Sequence, residues 1–156
     1  MKILMVCLGN ICRSPLADGL LRKKVKEKKL SVEVDSAGTS GIHSGKSPDI
    51  RMQKVAASFQ TPIDFLTSRK FTKSDFKNFD LILVMDKSNK SNVLQLAETN
   101  EEKEKVKLIL DYLSPNEQLE VPDPYYGGED GFIEVYHLLN KATDNIISEL
   151  EKISYD

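Results

Sequence analysis

Two side chains of opposite chemical character, Cys7 and Arg13, stand six positions apart near the start of the chain. The thiol is a nucleophile when ionised, and the guanidinium is a two-pronged donor for oxyanions. Between them lie Leu8, Gly9, Asn10, Ile11 and Cys12, and Ser14 and Pro15 follow. Five residues in that interval suffice to wrap a tetrahedral anion with inward-pointing backbone N–H groups. Gly9 is the residue expected to take the backbone angle that a tight wrap demands. Leu8, Gly9, Asn10, Ile11, Cys12, Arg13 and Ser14 are therefore the candidate phosphate-binding residues, with Cys7 beneath the anion and Arg13 gripping it. Fixed positive charge at such a corner favours thiolate over thiol.

A corner of this kind needs a strand to deliver it and a helix to close it. Ile3-Leu4-Met5-Val6 reads as a buried strand. Ser14 is expected to cap a helix whose first residue is Pro15, directing the helix's positive end at the same corner. That helix, 15–29, carries Leu16, Leu20, Leu21 and Val25 on one face, and its lysine-rich end reads as solvated surface.

A second carboxyl source lies far along the chain, in a long loop over 114–130. Asp123 sits between Pro122 and Pro124, which stiffen the backbone around it. Such a carboxyl can protonate a departing oxygen and later activate water. Tyr125 and Tyr126 beside it are candidates for lining a cleft. The loop 36–47 is also long for a strand-to-helix connection, and Ile42 and His43, its bulky members, are expected to touch substrate.

The remaining segments alternate. A strand is expected over Ser31–Asp35, a helix over 48–59 with Ser47 as its cap, and a one-turn helix start at Thr72–Asp75. A strand follows at Asp80–Met85, a helix at Lys87–Ala97, a strand at Val106–Leu110, and a final helix from Gly131 to the C-terminus. Residues 63–71 read as irregular, and Glu101–Lys105 as solvated surface. Alternation of this type implies an α/β fold: one domain over residues 1–156, a four-stranded parallel sheet flanked by helices on both faces, and the phosphate loop after the first strand.

Composition restricts the function classes. The chain has 156 residues, 40% apolar and 29% charged, in the range of ordinary globular domains. With 22 basic against 24 acidic residues, the net charge of −2 gives no electrostatic footprint for nucleic acid or an acidic membrane. No apolar run approaches membrane-spanning length, and the N-terminus reads as a core strand, not a signal peptide. The two cysteines lie in one short loop, which excludes a disulfide framework and points to a reducing, cytoplasmic setting. Two scattered histidines form no metal-ligand cluster, and no cofactor is implied.

These motifs together resemble the low-molecular-weight protein tyrosine phosphatases. Val6-Cys7-Leu8-Gly9-Asn10-Ile11-Cys12-Arg13-Ser14-Pro15 matches the family's phosphate loop, and Val121-Pro122-Asp123-Pro124-Tyr125-Tyr126-Gly127 its general-acid loop. Asp35-Ser36-Ala37-Gly38-Thr39 and Met85-Asp86-Lys87-Ser88-Asn89 are further family segments. The resemblance implies hydrolysis of phosphotyrosine through a cysteinyl-phosphate, with Cys7 as nucleophile, Arg13 as phosphate clamp and Asp123 as general acid. It further implies that Asn10 shapes the loop and bonds Ser36, that Ser14 steadies the thiolate, and that Cys12 protects Cys7 by a reversible disulfide. Expected partners are phosphotyrosine proteins or peptides, with phosphate and other oxyanions as ligands.

The chain departs from the family at two positions. Ile42 stands where many members carry an aromatic residue, and Leu66 where a histidine often supports the loop. A branch of the same fold cleaves phosphoarginine and places Thr where this chain has Ile11. An arsenate reductase on this fold would need a further cysteine downstream. A phosphate-binding module without turnover would not need Asp123.

Overall fold

A computed structural model describes residues 1–155, and the side chains of residues 1–153. The elements run β1 (Lys2–Cys7), α1 (Arg13–Glu27), β2 (Glu33–Gly38), α2 (Ile50–Ser58), α3 (Asp75–Asn78), β3 (Leu81–Val84), α4 (Lys87–Leu96), α5 (Asn100–Glu104), β4 (Val106–Leu108), a 3-10 turn (Ile109–Tyr112) and α6 (Glu129–Tyr155). The four strands form one parallel sheet in the order β2-β1-β3-β4. This is the expected single-domain α/β architecture.

β1 is central, and Ile3, Leu4, Met5 and Val6 are wholly shielded from water. Burial on both faces explains its unbroken apolar run, since a one-sided strand would alternate. Ile3 and Met5 face α1, α2 and α6, packing with Leu16, Leu20, Met52, Phe132 and Leu139. Leu4 and Val6 face the other way, onto Phe71, Phe76 of α3, and Val93 of α4. Each such side chain, moved from water to the core, contributes about 1.5–3 kcal/mol.

The register places the working ends of the strands side by side. Cys7 pairs with Gly38, and Val6 with both Ala37 and Val84. The loops after β1, β2 and β3 therefore leave the sheet along one edge. The chain moves from β1 outward to β2 on one side and returns to β3 on the other. That reversal opens a crevice at the carboxyl ends of the strands.

Several boundaries differ from expectation. β2 continues through Ser36-Ala37-Gly38, because small residues let it run against the phosphate loop. A Cβ on Gly38 would lie 2.8 Å from the Leu8 carbonyl oxygen. The caps are not the serines. α1 starts at Arg13 behind Cys12, and α2 is capped by Asp49, whose carboxylate accepts the Arg51 N–H. Glu101–Lys105 is solvated as expected but winds into α5, closed by a reciprocal cap between Thr99 and Glu102. β4 stops at Leu108, and Ile109–Tyr112 tightens into the 3-10 turn. The lysine-rich end of α1 is not simply solvated. Lys24 Nζ reaches α6, donating to Asn140, to the Thr143 hydroxyl and to Asp144. The last helix begins at Glu129, and its expected end at Asp156 lies outside the described residues.

Candidate active site

The loop between β1 and α1 is shaped from outside. Its carbonyl oxygens are taken up by surrounding donors: Cys7 by Thr39 N–H at 2.9 Å, Leu8 by Ser40 N–H at 2.8 Å, Ile11 by Asp49 N–H at 2.8 Å. The Gly9 carbonyl accepts from the Ser68 hydroxyl at 3.1 Å. Carbonyls bonded outward leave the inner side of the loop to its N–H groups, the arrangement of an anion-binding nest.

The left-handed residue of the loop is Asn10, at φ 57°, and not Gly9. Asn is among the few side chains that hold this conformation. Its amide explains why. Oδ1 accepts from the Arg69 N–H at 3.0 Å, which leaves Nδ2 to donate to the Ser14 hydroxyl at 2.8 Å. With its oxygen occupied as acceptor, Ser14 can donate its own proton to Cys7 Sγ, 2.9 Å away. The Asn10 N–H also points at that sulfur, at 3.3 Å. Asn10 thus orients Ser14, and Ser14 faces Cys7.

The expected bond between Asn10 and Ser36 is not the one formed. Ser36 is buried, and the Asn10 amide is engaged by Ser14 and the Arg69 N–H instead. Gly9 matters for a close approach instead of a backbone angle: a Cβ there would meet the His43 ring at 3.1 Å. Leu66 lies in the core, and the support a histidine would give comes from Ser68 and the Arg69 backbone.

Arg13 is 2% exposed, at the first turn of α1. One guanidinium nitrogen, Nη1, donates to Asp86 Oδ2 at 2.7 Å and to the Val121 carbonyl at 3.0 Å. With Nη1 so occupied, Nη2 is left to the Asp123 carboxylate, 3.5 Å away. Burial alone works against the charge, but Cys7, Asp86 and Asp123 around it raise the Arg13 pKa, and the cation persists. Asp86 also caps α4, accepting the Asn89 N–H at 2.7 Å.

Asp123 arrives from the far loop as expected. Its Oδ2 lies 3.5 Å from Arg13 Nη2, and its Oδ1 accepts from the Tyr125 N–H at 3.1 Å. Cys7, Arg13 and Asp123 all line one cavity of about 140 Å³. His43 and Tyr125 form its inner wall, with ring centroids 6.2 Å apart. Ile42 and Tyr126, 80% and 94% exposed, make its outer lip, with Leu8 beside them. Ile11 is buried in the core and contributes backbone alone. The cavity is smaller than the roughly 300–1,000 Å³ that encloses a drug-sized ligand. It suits a small anionic head group whose carrier stays outside. A larger groove, about 770 Å³, opens at the opposite end of β1 and β3, between Met1, Asp80 and Ile153, and neither cysteine lines it.

Cys12 is buried and lines the same cavity as Cys7. Burial, with Asp49, Cys7 and Asp123 nearby, pushes its thiol pKa up, so it stays protonated at neutral pH. Both cysteines are free thiols.

At sequence level Ser68, Arg69 and the pair Asp49 and Arg51 have no role, and Asp86 stands out only as part of a family segment. Asp86 had a readable signal, a carboxylate at the carboxyl end of a buried parallel strand. Ser68 and Arg69 lie in an irregular stretch whose pattern carries no such signal.

A parallel α/β sheet that brings a thiol and a guanidinium to one cavity at its switch point is the frame of a phosphate-handling protein. The model of the family described as low molecular weight phosphotyrosine protein phosphatase matches residues 2–154, and the chain belongs to that family. A low molecular weight phosphotyrosine protein phosphatase of Schizosaccharomyces pombe is 40% identical over 152 residues, covering 96% of each chain. The fold superposes on a protein tyrosine phosphatase of Entamoeba histolytica, solved with Hepes in its active site, at TM-score 0.91 and 42% identity over 99% of each chain. It is also similar to Vibrio vulnificus Wzb in complex with benzylphosphonate, at TM-score 0.85 and 30% identity, covering 95% of this chain and 97% of that one.

Proposed function

We propose that the protein hydrolyses phosphotyrosine, an aryl phosphate monoester, in proteins or peptides. In the first step Cys7 Sγ attacks phosphorus, the phosphorus–sulfur bond forms and the bond to the phenol oxygen breaks. Asp123 delivers its proton to that oxygen. In the second step Asp123 takes a proton from water, whose oxygen attacks phosphorus and releases Cys7 and inorganic phosphate. Splitting the reaction in this way is covalent catalysis. The loop N–H groups and Arg13 Nη2 and Nε would meet the charge that gathers on the equatorial oxygens. Ser14 offers its proton to the departing sulfur.

The observation that carries this reading is the convergence of Cys7, Arg13 and Asp123 on one small cavity, with Arg13 3.5 Å from Asp123. The anions bound by the two relatives, a sulfonate and a benzylic phosphonate, have the shape this pocket would take. A non-catalytic binding module gives no reason for Asp123 to line the cavity of the thiol. A reducing, cytoplasmic setting belongs to the same proposal, because the reaction needs Cys7 as a reduced thiol. Among the described residues no helix is long and apolar enough to cross a membrane.

The test compares aryl phosphate, phosphotyrosine peptide and phosphoarginine as substrates. Turnover is expected to be highest on the first two and to vanish in Cys7→Ser, while inorganic phosphate still binds. Asp123→Ala is expected to lose about 10²–10⁴-fold, the usual contribution of a positioned proton donor. Faster release from phosphoarginine would overturn the substrate, and turnover by Cys7→Ser would overturn the nucleophile.

A further inference from the structure

Asp123 is suspended between two clamps. Upstream, Val121 gives its N–H to the Met85 carbonyl at 2.8 Å, and its own carbonyl accepts from Arg13 at 3.0 Å. Downstream, the Tyr125 carbonyl accepts from Arg51 Nη2 at 3.0 Å, and the Tyr125 ring lies 5.4 Å from the Arg51 guanidinium. Pro122 and Pro124 leave little torsional freedom between the clamps.

Arg51 is itself held on two sides. Its Nε and Nη2 form a fork on the Asp49 carboxylate at 3.1 and 2.9 Å. Its plane lies over Phe132, 4.7 Å from the ring centre, at the buried start of α6. The Asp49 N–H in turn donates to the Ile11 carbonyl of the phosphate loop at 2.8 Å. A path of hydrogen bonds therefore runs from the phosphate loop through Asp49 and Arg51 to the loop that carries Asp123.

We propose that Arg51 is a positioning residue that fixes the Asp123 carboxyl over the leaving oxygen. It does not line the cavity, so it acts through Tyr125 and not on substrate. The tether is needed because residues 113–128 cross from the 3-10 turn to α6 without regular structure. Segments of that kind open easily unless pinned. Sequence supplied no hint of this role, because Arg51 and Tyr125 meet only in the fold. The inference rests on Asp123 being the proton donor, and the experiment separates the two.

The assay is kcat/KM on a series of aryl phosphates whose phenols range from strongly acidic to weakly acidic. Without a positioned acid the leaving phenolate carries charge, so the rate falls steeply as its basicity rises. Wild type is expected to show a shallow slope and Asp123→Ala a steep one. Arg51→Ala is expected to steepen the slope, losing about ten- to a hundredfold on phenyl phosphate and at most about threefold on the most acidic phenol. Arg51→Lys is expected to fall between, because an ammonium can reach Tyr125 but cannot reproduce the fork and the stacking. It also keeps the test usable if Arg51→Ala folds poorly. Competition by inorganic phosphate should stay within about twofold of wild type in both, since the cradle is untouched. In the Asp123→Ala background, Arg51→Ala should change nothing further. Equal loss on every substrate, or the same loss in the Asp123→Ala background, would overturn the role of Arg51. A shallow slope in Asp123→Ala would remove the proton donor itself, a different and distinguishable result.

Discussion

Replacing Asp86 by Ala should damage the protein twice, in ways that can be measured apart. Its carboxylate takes Arg13 Nη1 at 2.7 Å with one oxygen and the Asn89 N–H at 2.7 Å with the other. Arg13 is 3% exposed at its side chain and Asp86 21%, so water compensates the loss poorly. A hydrogen bond to a charged group contributes about 1.5–3 kcal/mol. The lost helix cap adds about 1 kcal/mol. Together Asp86→Ala should cost about 2.5–4 kcal/mol, a large part of the roughly 5–15 kcal/mol that holds a domain together. Asp86→Asn keeps the cap and one neutral acceptor, so it should cost about half as much. Urea unfolding of the three proteins at constant slope would read these differences. The buffer must be free of phosphate, because a bound anion would stabilise the folded state and mask them. In the same variants kcat/KM should fall about ten- to a hundredfold, as the guanidinium loses its alignment. If Asp86→Ala lost under about 1 kcal/mol and matched Asp86→Asn in rate, the claim that Asp86 aims Arg13 would be wrong.

Other outcomes follow from single contacts. Asn10→Ala removes the bonds to Ser14 and Arg69 and leaves an alanine at φ 57°. It should cost about 2–4 kcal/mol in urea unfolding, whereas Asn10→Gly should recover about 1 kcal/mol of that by relieving the left-handed strain, with little recovery of rate. The Arg51 fork and the backbone N–H groups hold the Asp49 carboxyl below its ordinary range. Its stabilisation is complete above an unfolded value of about 3.9 and is lost as pH falls through the lower folded value. The stability gap between wild type and Asp49→Asn should thus stay constant from about pH 7 to 5 and close below about pH 4, followed by thermal unfolding. Thr99→Ala opens the cap of α5, far from the cavity. It should cost about 1 kcal/mol and leave kcat/KM at the wild-type value.

Local order in the chain was enough to define the fold and the heart of the site. β1 was readable because burial on both faces demands an unbroken apolar run. Cys7, Arg13 and the loop between them were readable because a continuous segment built the cradle. Asp123 was readable as a stiff carboxyl between two prolines, though nothing local said where it would point. Local cap preference points to Ser14 and Ser47, but the fold starts α1 at Arg13 and caps α2 with Asp49. In the fold the Ser14 hydroxyl bonds Asn10 and faces Cys7, while the Asp49 side chain takes the α2 cap. The left-handed angle was assigned to Gly9 on intrinsic freedom, and the fold gave it to Asn10. Only there do the Arg69 N–H and the Ser14 hydroxyl both wait for an amide.

Tertiary structure alone decided which distant groups hold the working ones. Asp86 meets Arg13 across 73 positions, and Arg51 meets Tyr125 across 74. The physical reason is one of range. Propensity, periodicity and capping act over a few neighbouring residues, while the order β2-β1-β3-β4 brings four loops to one edge. The proposed chemistry rests on short motifs. The aim of each side chain was set by donors and acceptors that arrive from elsewhere in the chain.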